Sequence, residues 1–198
     1  MDISATRVKE LREATGAGVL ECRKALEQWN GDLEKATAYL REKGLAKAAK
    51  KAERVVKDGR VEVYAHPGNR VGVILEVNCE SDFVARTEDF KALVHDLALH
   101  IAFASPRYVR AEDVPAEVLE AQRAAFQSEA AATGKPANVL ERIVQGKLDK
   151  YYDEVCLLRQ PFVKDDKVKV GDLVTGAIAK IGENIVVRRF VRYEVGEA

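Results

Sequence analysis

The chain lacks a net charge. Its 198 residues carry 32 Lys and Arg against 32 Asp and Glu, so the formal charge is zero with the three His neutral. Proteins that grip a nucleic-acid backbone normally show a basic excess, because phosphate neutralisation supplies most of their affinity. Bulk charge gives no such push here. Long apolar runs are missing too: none approaches the roughly 18 residues that span a bilayer, and the opening MDISATRVKE has no secretory apolar stretch, so a cytoplasmic protein is expected. Cysteine is scarce. Cys22, Cys79 and Cys156 are far apart, odd in number and outside any C-x-x-C, which fits reduced thiols better than a disulfide framework or a zinc site. His66, His95 and His100 are equally scattered, and read as surface or packed side chains rather than metal ligands.

Motifs of catalysis are absent as well. There is no G-x-x-x-x-G-K-[ST], and Gly16-Ala17-Gly18 lacks the third glycine of a dinucleotide fingerprint and lies between helices. H-E-x-x-H, G-x-S-x-G and S-x-x-K do not occur. The adjacent carboxylates Glu88-Asp89 are accounted for by favourable charge at a helix start. No catalytic residue, cofactor or metal ligand is nominated, and the expectation is a protein that is not an enzyme.

What is present is an ordinary globular composition, 47% apolar and 32% charged, in a chain long enough to bury roughly 70% of its unfolded surface. The first part reads as helical throughout. Val8 and Leu11 begin a short amphipathic helix that Gly16 and Gly18 end; Val19, Cys22, Ala25, Leu26 and Trp29 recur at helical spacing. Asp32 is placed to cap a third helix carrying Leu33, Ala36 and Leu40, with Gly44 as its stop. Residues 1–44 therefore read as a three-helix module, 45–58 as a basic helical linker and 59–198 as an α+β core with a small antiparallel sheet packed against helices. Segment 1–57 is +4 and the remainder −4, so the zero balance is a cancellation.

In the core, Arg60–His66 and Arg70–Glu80 are rich in Val, Ile and Tyr around Pro67-Gly68-Asn69, which predicts a hairpin. Thr87 is expected to cap a helix with Phe90, Leu93, Val94, Leu97 and Ile101 on one face. Pro115 and Pro136 mark two further helix starts separated by Gly134, and 185–195 reads as a strand on which Ile185, Val187 and Val191 alternate against Arg188 and Arg192. Between strand and helix, Ser81-Asp82 suits a turn whereas Phe83-Val84 does not. Pattern alone favours Phe83 folding back as a hydrophobic staple for the helix after Thr87; the other reading is an aromatic projecting toward a partner.

Several motifs then fall into order. Val8-Lys-Glu-Leu-Arg12-Glu-Ala-Thr15-Gly-Ala-Gly18, Cys22-Arg-Lys-Ala-Leu26, Asn30-Gly-Asp32, Lys43-Gly44 and Ala48-Ala-Lys-Lys-Ala52 precede Glu76-Val-Asn-Cys-Glu-Ser-Asp-Phe-Val-Ala-Arg86, Gln160-Pro-Phe-Val-Lys164 and Arg189-Phe-Val-Arg-Tyr-Glu-Val-Gly-Glu197. The set resembles the bacterial elongation factor Ts family over essentially the whole chain. That resemblance implies a guanine nucleotide exchange factor that binds GDP-bound and nucleotide-free elongation factor Tu, loosens Mg²⁺ and nucleotide, and is displaced by GTP. It implies a module of ubiquitin-associated type, an exchange motif at Ser81, Asp82, Phe83 and Val84, and docking positions at Arg12, Val19 and Leu20. Ser81 stands where the family usually has Thr, keeping the hydroxyl.

Longer members carry a second core subdomain and a protruding coiled coil, for which the chain has no room on this reading, and short members pair as homodimers. No membrane and no direct nucleic-acid contact are expected. For Asp82 three roles stay open: repelling phosphate, competing for Mg²⁺, or holding its own turn. A rival reading is an RNA-binding protein using the basic linker and Arg188, Arg189 and Arg192, and a second is a ubiquitin-associated-type adaptor.

Overall fold

The computed structural model describes residues 3–132 and 136–197; Gly134 lies outside the described residues. Three helices open the chain: α1 (Ala5–Thr15), α2 (Val19–Gln28) and α3 (Leu33–Ala49). Gly16 ends α1 in the left-handed region at φ 67°, a conformation that costs residues with a Cβ, and Asp32 caps α3 by accepting from the Lys35 amide. Val8, Leu11, Cys22, Ala25, Leu26, Ala36 and Leu40 bury a small common core. Gly44 does not stop α3, which runs on to Ala49. Its Ala-rich sequence sustains the helix, and a methyl on Gly44 would lie 3.5 Å from the Ala179 side chain, so the glycine marks a close helix crossing.

A hairpin follows, β1 (Asp58–Ala65) and β2 (Val71–Cys79), antiparallel in the register Val63 to Ile74. Its turn uses positive φ at Gly68 and Asn69, as Pro67-Gly68-Asn69 predicts. Ser81 then caps a single helical turn, α4 (Asp82–Ala85), and Thr87 caps α5 (Glu88–Ala104), its hydroxyl accepting from the Phe90 amide. Phe90, Leu93, Val94, Leu97 and Ile101 are all buried against Val73, Leu75 and Val77 of β2. Pro115 and Pro136 immediately precede α6 (Ala116–Ala131) and α7 (Ala137–Val155). These two form a helical hairpin with its own thin core of Ala130, Val144 and Leu148, so the chain does have room for a two-helix projection.

After a two-strand ribbon, β3 (Pro161–Phe162) and β4 (Asp165–Lys169), comes a helix that the periodicity reading passes over, α8 (Val170–Ile181). It buries Val170, Val174 and Ile178 and carries α3 on its outer side. Gly171 is needed there, since a Cβ would sit 2.7 Å from the Leu158 carbonyl oxygen. The last strand, β5 (Val186–Glu194), pairs with β2, giving the antiparallel order β1-β2-β5.

A bulge interrupts β5. Val77 pairs with Val187 while Glu76 pairs with Arg189, leaving Arg188 as the extra residue. The expected alternation therefore fails beyond it: Ile185 and Val187 face the core, whereas Val191 is exposed. Arg192 turns inward instead, its side chain only 9% exposed, with Nε donating to the Ala102 carbonyl and the guanidinium paired with Glu194 and Glu197. The sheet's outer face keeps Val61, Val63, Ile74, Val191 and Tyr193 exposed.

Candidate functional site

Ser81 to Val84 form the tip of the strand-to-helix connection, and each group has a different environment. The Ser81 hydroxyl accepts from the Val84 amide at 3.4 Å and donates to a carboxylate oxygen of Glu183 at 2.6 Å. Both uses need only a hydroxyl, so Ser serves as Thr would. Val84 and Ala85 pack on the core. With that inner space filled, Phe83 does not fold back as a staple but stands 80% exposed. Asp82 pairs with Arg86 one turn on at 2.9 Å. The turn's capping acceptor is Ser81, which leaves Asp82 free of that task.

Beneath the turn, the Cys79 thiol donates to the Ser81 carbonyl at 3.2 Å. Burial, and then the nearby Glu183 carboxylate, push this thiol up to about 11, so it stays a protonated donor at neutral pH. Cys156 is likewise pushed up to about 11 by burial, and Cys22 is raised for the same reason. All three cysteines are buried and free. Among the described residues no cluster of His, Cys, Asp and Glu could hold a metal ion. The histidines serve structure: His95 meets Glu62, His66 meets the Tyr64 hydroxyl, and His100 is buried between Gln160 and the Val163 amide.

The positions expected to dock a partner lie on the amino-terminal bundle. Val19 and Leu20 open α2 and are 52% and 73% exposed, backed by Cys22, Ala25 and Leu26 on the inner face. Arg12, in the last turn of α1, is exposed and forms no ion pair among the described residues. The bundle and the turn each contact the end of α8 or the residues just past it. A methyl on Gly16, between α1 and α2, would touch the Lys180 side chain at 3.6 Å, and the Lys180 amine pairs with Asp89 at the start of α5. Glu183, two residues past α8, holds Ser81. The sequence reading missed Glu183 because its partner is 102 residues away.

Several basic residues in and beside the linker and strand offered to the rival reading are engaged in ion pairs. Lys43 and Lys47 both pair with Glu21, which is held below the usual carboxylate range chiefly by its hydrogen bond from Lys47. Arg189 pairs with Glu76, and Arg192 pairs with Glu194 and Glu197. No helix is long and apolar enough to cross a membrane among the described residues.

Fold and site together define a class: an α+β core with a three-helix bundle fixed to it, presenting large apolar side chains outward from ordered elements. The sequence profile of the family described as Elongation factor TS matches residues 4–197. Elongation factor Ts of Herpetosiphon aurantiacus is 59% identical over 196 residues, covering 99% of each chain. The proteins of the same name from Heliobacterium modesticaldum and Carboxydothermus hydrogenoformans are 56% and 57% identical over 195 residues, covering 98% of this chain and 91% and 90% of theirs. The chain belongs to the elongation factor Ts family, and its role is that of a translation elongation factor.

Proposed function

We propose that the chain promotes GDP release from elongation factor Tu in the cytoplasm, binding the GTPase domain, dislodging Mg²⁺ and nucleotide, and leaving when GTP rebinds. It does so by binding differentially and makes no covalent bond. The observation that carries this reading is Phe83, 80% exposed on a turn whose backbone is held from behind. An exposed aromatic of this kind gains only when a partner supplies its pocket. Burying it contributes roughly 1.5–3 kcal/mol, equivalent to one or two decades of affinity. A single wedge contributes no more than that, and a docking patch at Arg12, Val19 and Leu20 anchors the chain on the partner while the core pushes on the Mg²⁺ side. Asp82, already facing outward beside Phe83, enters with it and exchanges its Arg86 partner for groups near the Mg²⁺ site.

In this reading residues 1–44, a bundle of ubiquitin-associated type, dock the chain; 45–58 join it to the core, with α3 running through the boundary; and 59–198 carry exchange and pairing. The outer face of the sheet, with Val61, Val63, Ile74, Val191 and Tyr193 exposed, is the surface on which a second copy of the chain would bury its own, giving a homodimer. The deciding experiment loads elongation factor Tu with labelled GDP and times its release with and without the chain. Accelerated release supports exchange. Unchanged release, together with salt-sensitive binding to RNA, would support the rival instead.

A further inference from the structure

Four residues of helix cannot hold their own geometry, because helix formation is costly to nucleate and a single turn returns little. Yet α4 carries Phe83 outward from a defined position, so its support must come from elsewhere. The hydrogen bonds identify the source. One oxygen of Glu183 accepts from the amides of Glu80 and Ser81, both at 3.0 Å, and the other accepts from the Ser81 hydroxyl at 2.6 Å. The contact is reciprocal: the Glu80 carboxylate accepts from the Asn184 amide at 2.7 Å. Two carboxylates from segments about a hundred residues apart thus each hold the other's backbone.

The holding loop is itself anchored. Gly182 ends α8 at φ 92°, reversing the chain so that Glu183 points at the turn. Asn184 is buried, and its side-chain amide donates to the carbonyls of Ala52 and Arg54, at 3.3 and 2.9 Å. Lys51 donates to the Gly182 carbonyl, and Arg54 approaches Glu80 at 3.6 Å. Residues 51–54 directly follow α3, so the loop touches the segment leaving the amino-terminal bundle on one side and the turn bearing Phe83 on the other.

We propose that Glu183 is a positioning residue for nucleotide exchange, acting through Ser81 to hold Phe83 in its outward pose. The proposal rests on the exchange reading for its function, but the clamp can be tested without a partner. Charge-assisted hydrogen bonds are stronger than neutral ones, and removing this carboxylate leaves two amides and a hydroxyl without their acceptor. Phe83 would then sample many poses and lose part of its burial energy to ordering when it meets the partner. Docking through Val19 and Leu20 would be untouched.

The test uses the full chain as parent, Glu183→Ala, Glu183→Gln, Phe83→Ala and the double variant Glu183→Ala with Phe83→Ala. Amide hydrogen exchange on the free protein should speed up at Glu80 and Ser81 in Glu183→Ala by about tenfold, with the β2 amides of Val73 and Leu75 unchanged. Labelled-GDP release from elongation factor Tu should slow by about tenfold at saturation, with the half-saturating concentration nearly unmoved. Gln keeps the shape, an acceptor for the amides and a donor for the hydroxyl oxygen, so Glu183→Gln should recover most of the rate. In the Phe83→Ala background, Glu183→Ala should cost little more. Unchanged Glu80 and Ser81 amides overturn the clamp. An equal rate loss in both backgrounds, or β2 amides that speed up in parallel, overturns positioning through Phe83 in favour of general destabilisation. If the parent accelerates release but Phe83→Ala does so equally, the positioning role is overturned while exchange stands; if the parent itself leaves release unchanged, the exchange reading fails, and the amide data still report separately on the clamp.

Discussion

Phe83 and Leu20 are almost equally exposed, at 80% and 73%, yet they are supported in opposite ways. Leu20 sits at the start of a ten-residue helix whose inner face buries Cys22, Ala25 and Leu26 within its own bundle. Phe83 sits on a single turn with no fully buried residue, held by hydrogen bonds that Glu183 accepts and one that Cys79 donates. A docking patch can rely on a local hydrophobic core. On the proposed function Phe83 enters a partner's site, and the single turn that carries it takes its rigidity from side chains distant in sequence.

The most severe way to break this comparison is to remove one support and watch the other. Leu26→Ala empties a fully buried position in a small bundle and should cost about 2–5 kcal/mol. The bundle should then melt early in a thermal scan, while Ser81 amide protection stays close to the parent's; if both are lost together, the two supports are one. Phe83→Ala should come next, slowing saturated GDP release by about one to two decades with a melting temperature unchanged, since the ring contributes little to the core. Leu20→Ser should sharpen the contrast by the opposite split: a half-saturating concentration raised about tenfold, with the saturated rate preserved. Release kinetics titrated against protein concentration separate the two.

The smallest effect concerns the core behind both patches. Burial lowers the pKa of His100, and its Nδ1 accepts from the Val163 amide while Nε2 meets Gln160, which leaves no place for a second proton. The unfolded chain therefore binds the proton first. Stability is full above the ordinary histidine value and falls as pH drops below about 6.5, by at most about 1.4 kcal/mol per unit. Urea unfolding at pH 7.5 and 5.5 should show this loss, and a His100→Gln variant should show less of it.

Where geometry is set locally, the residues could be read directly. Pro67-Gly68-Asn69, the Asp32 and Thr87 caps, and the buried stripe from Phe90 to Ile101 depend on neighbours within a few positions. The misses share a cause of the other kind. Gly44 resembles a stop until α8 is packed beside it, and Gly171 is required only once Leu158 passes close to α8. The bulge at Arg188 flips Val191 outward and Arg192 inward, a change of register that depends on pairing with β2. At the site, the motif Ser81 to Val84 was legible as unusual, but the pose of Phe83 was not, because Val84 and Ala85 fill the inner space and Glu183 holds the backbone from across the fold.

Exchange by differential binding has a thermodynamic signature. Whatever factor the chain imposes on GDP affinity, GDP must impose on the chain's affinity, and a protein that binds both partner states equally shifts nothing. The most direct measurement is therefore the pair of equilibrium dissociation constants for nucleotide-free and GDP-bound elongation factor Tu, taken with the parent chain and with Phe83→Ala. The account predicts a strong preference for the nucleotide-free partner that shrinks by about one to two decades without the ring. Equal affinities in the parent, or a preference that Phe83→Ala leaves intact, would contradict it.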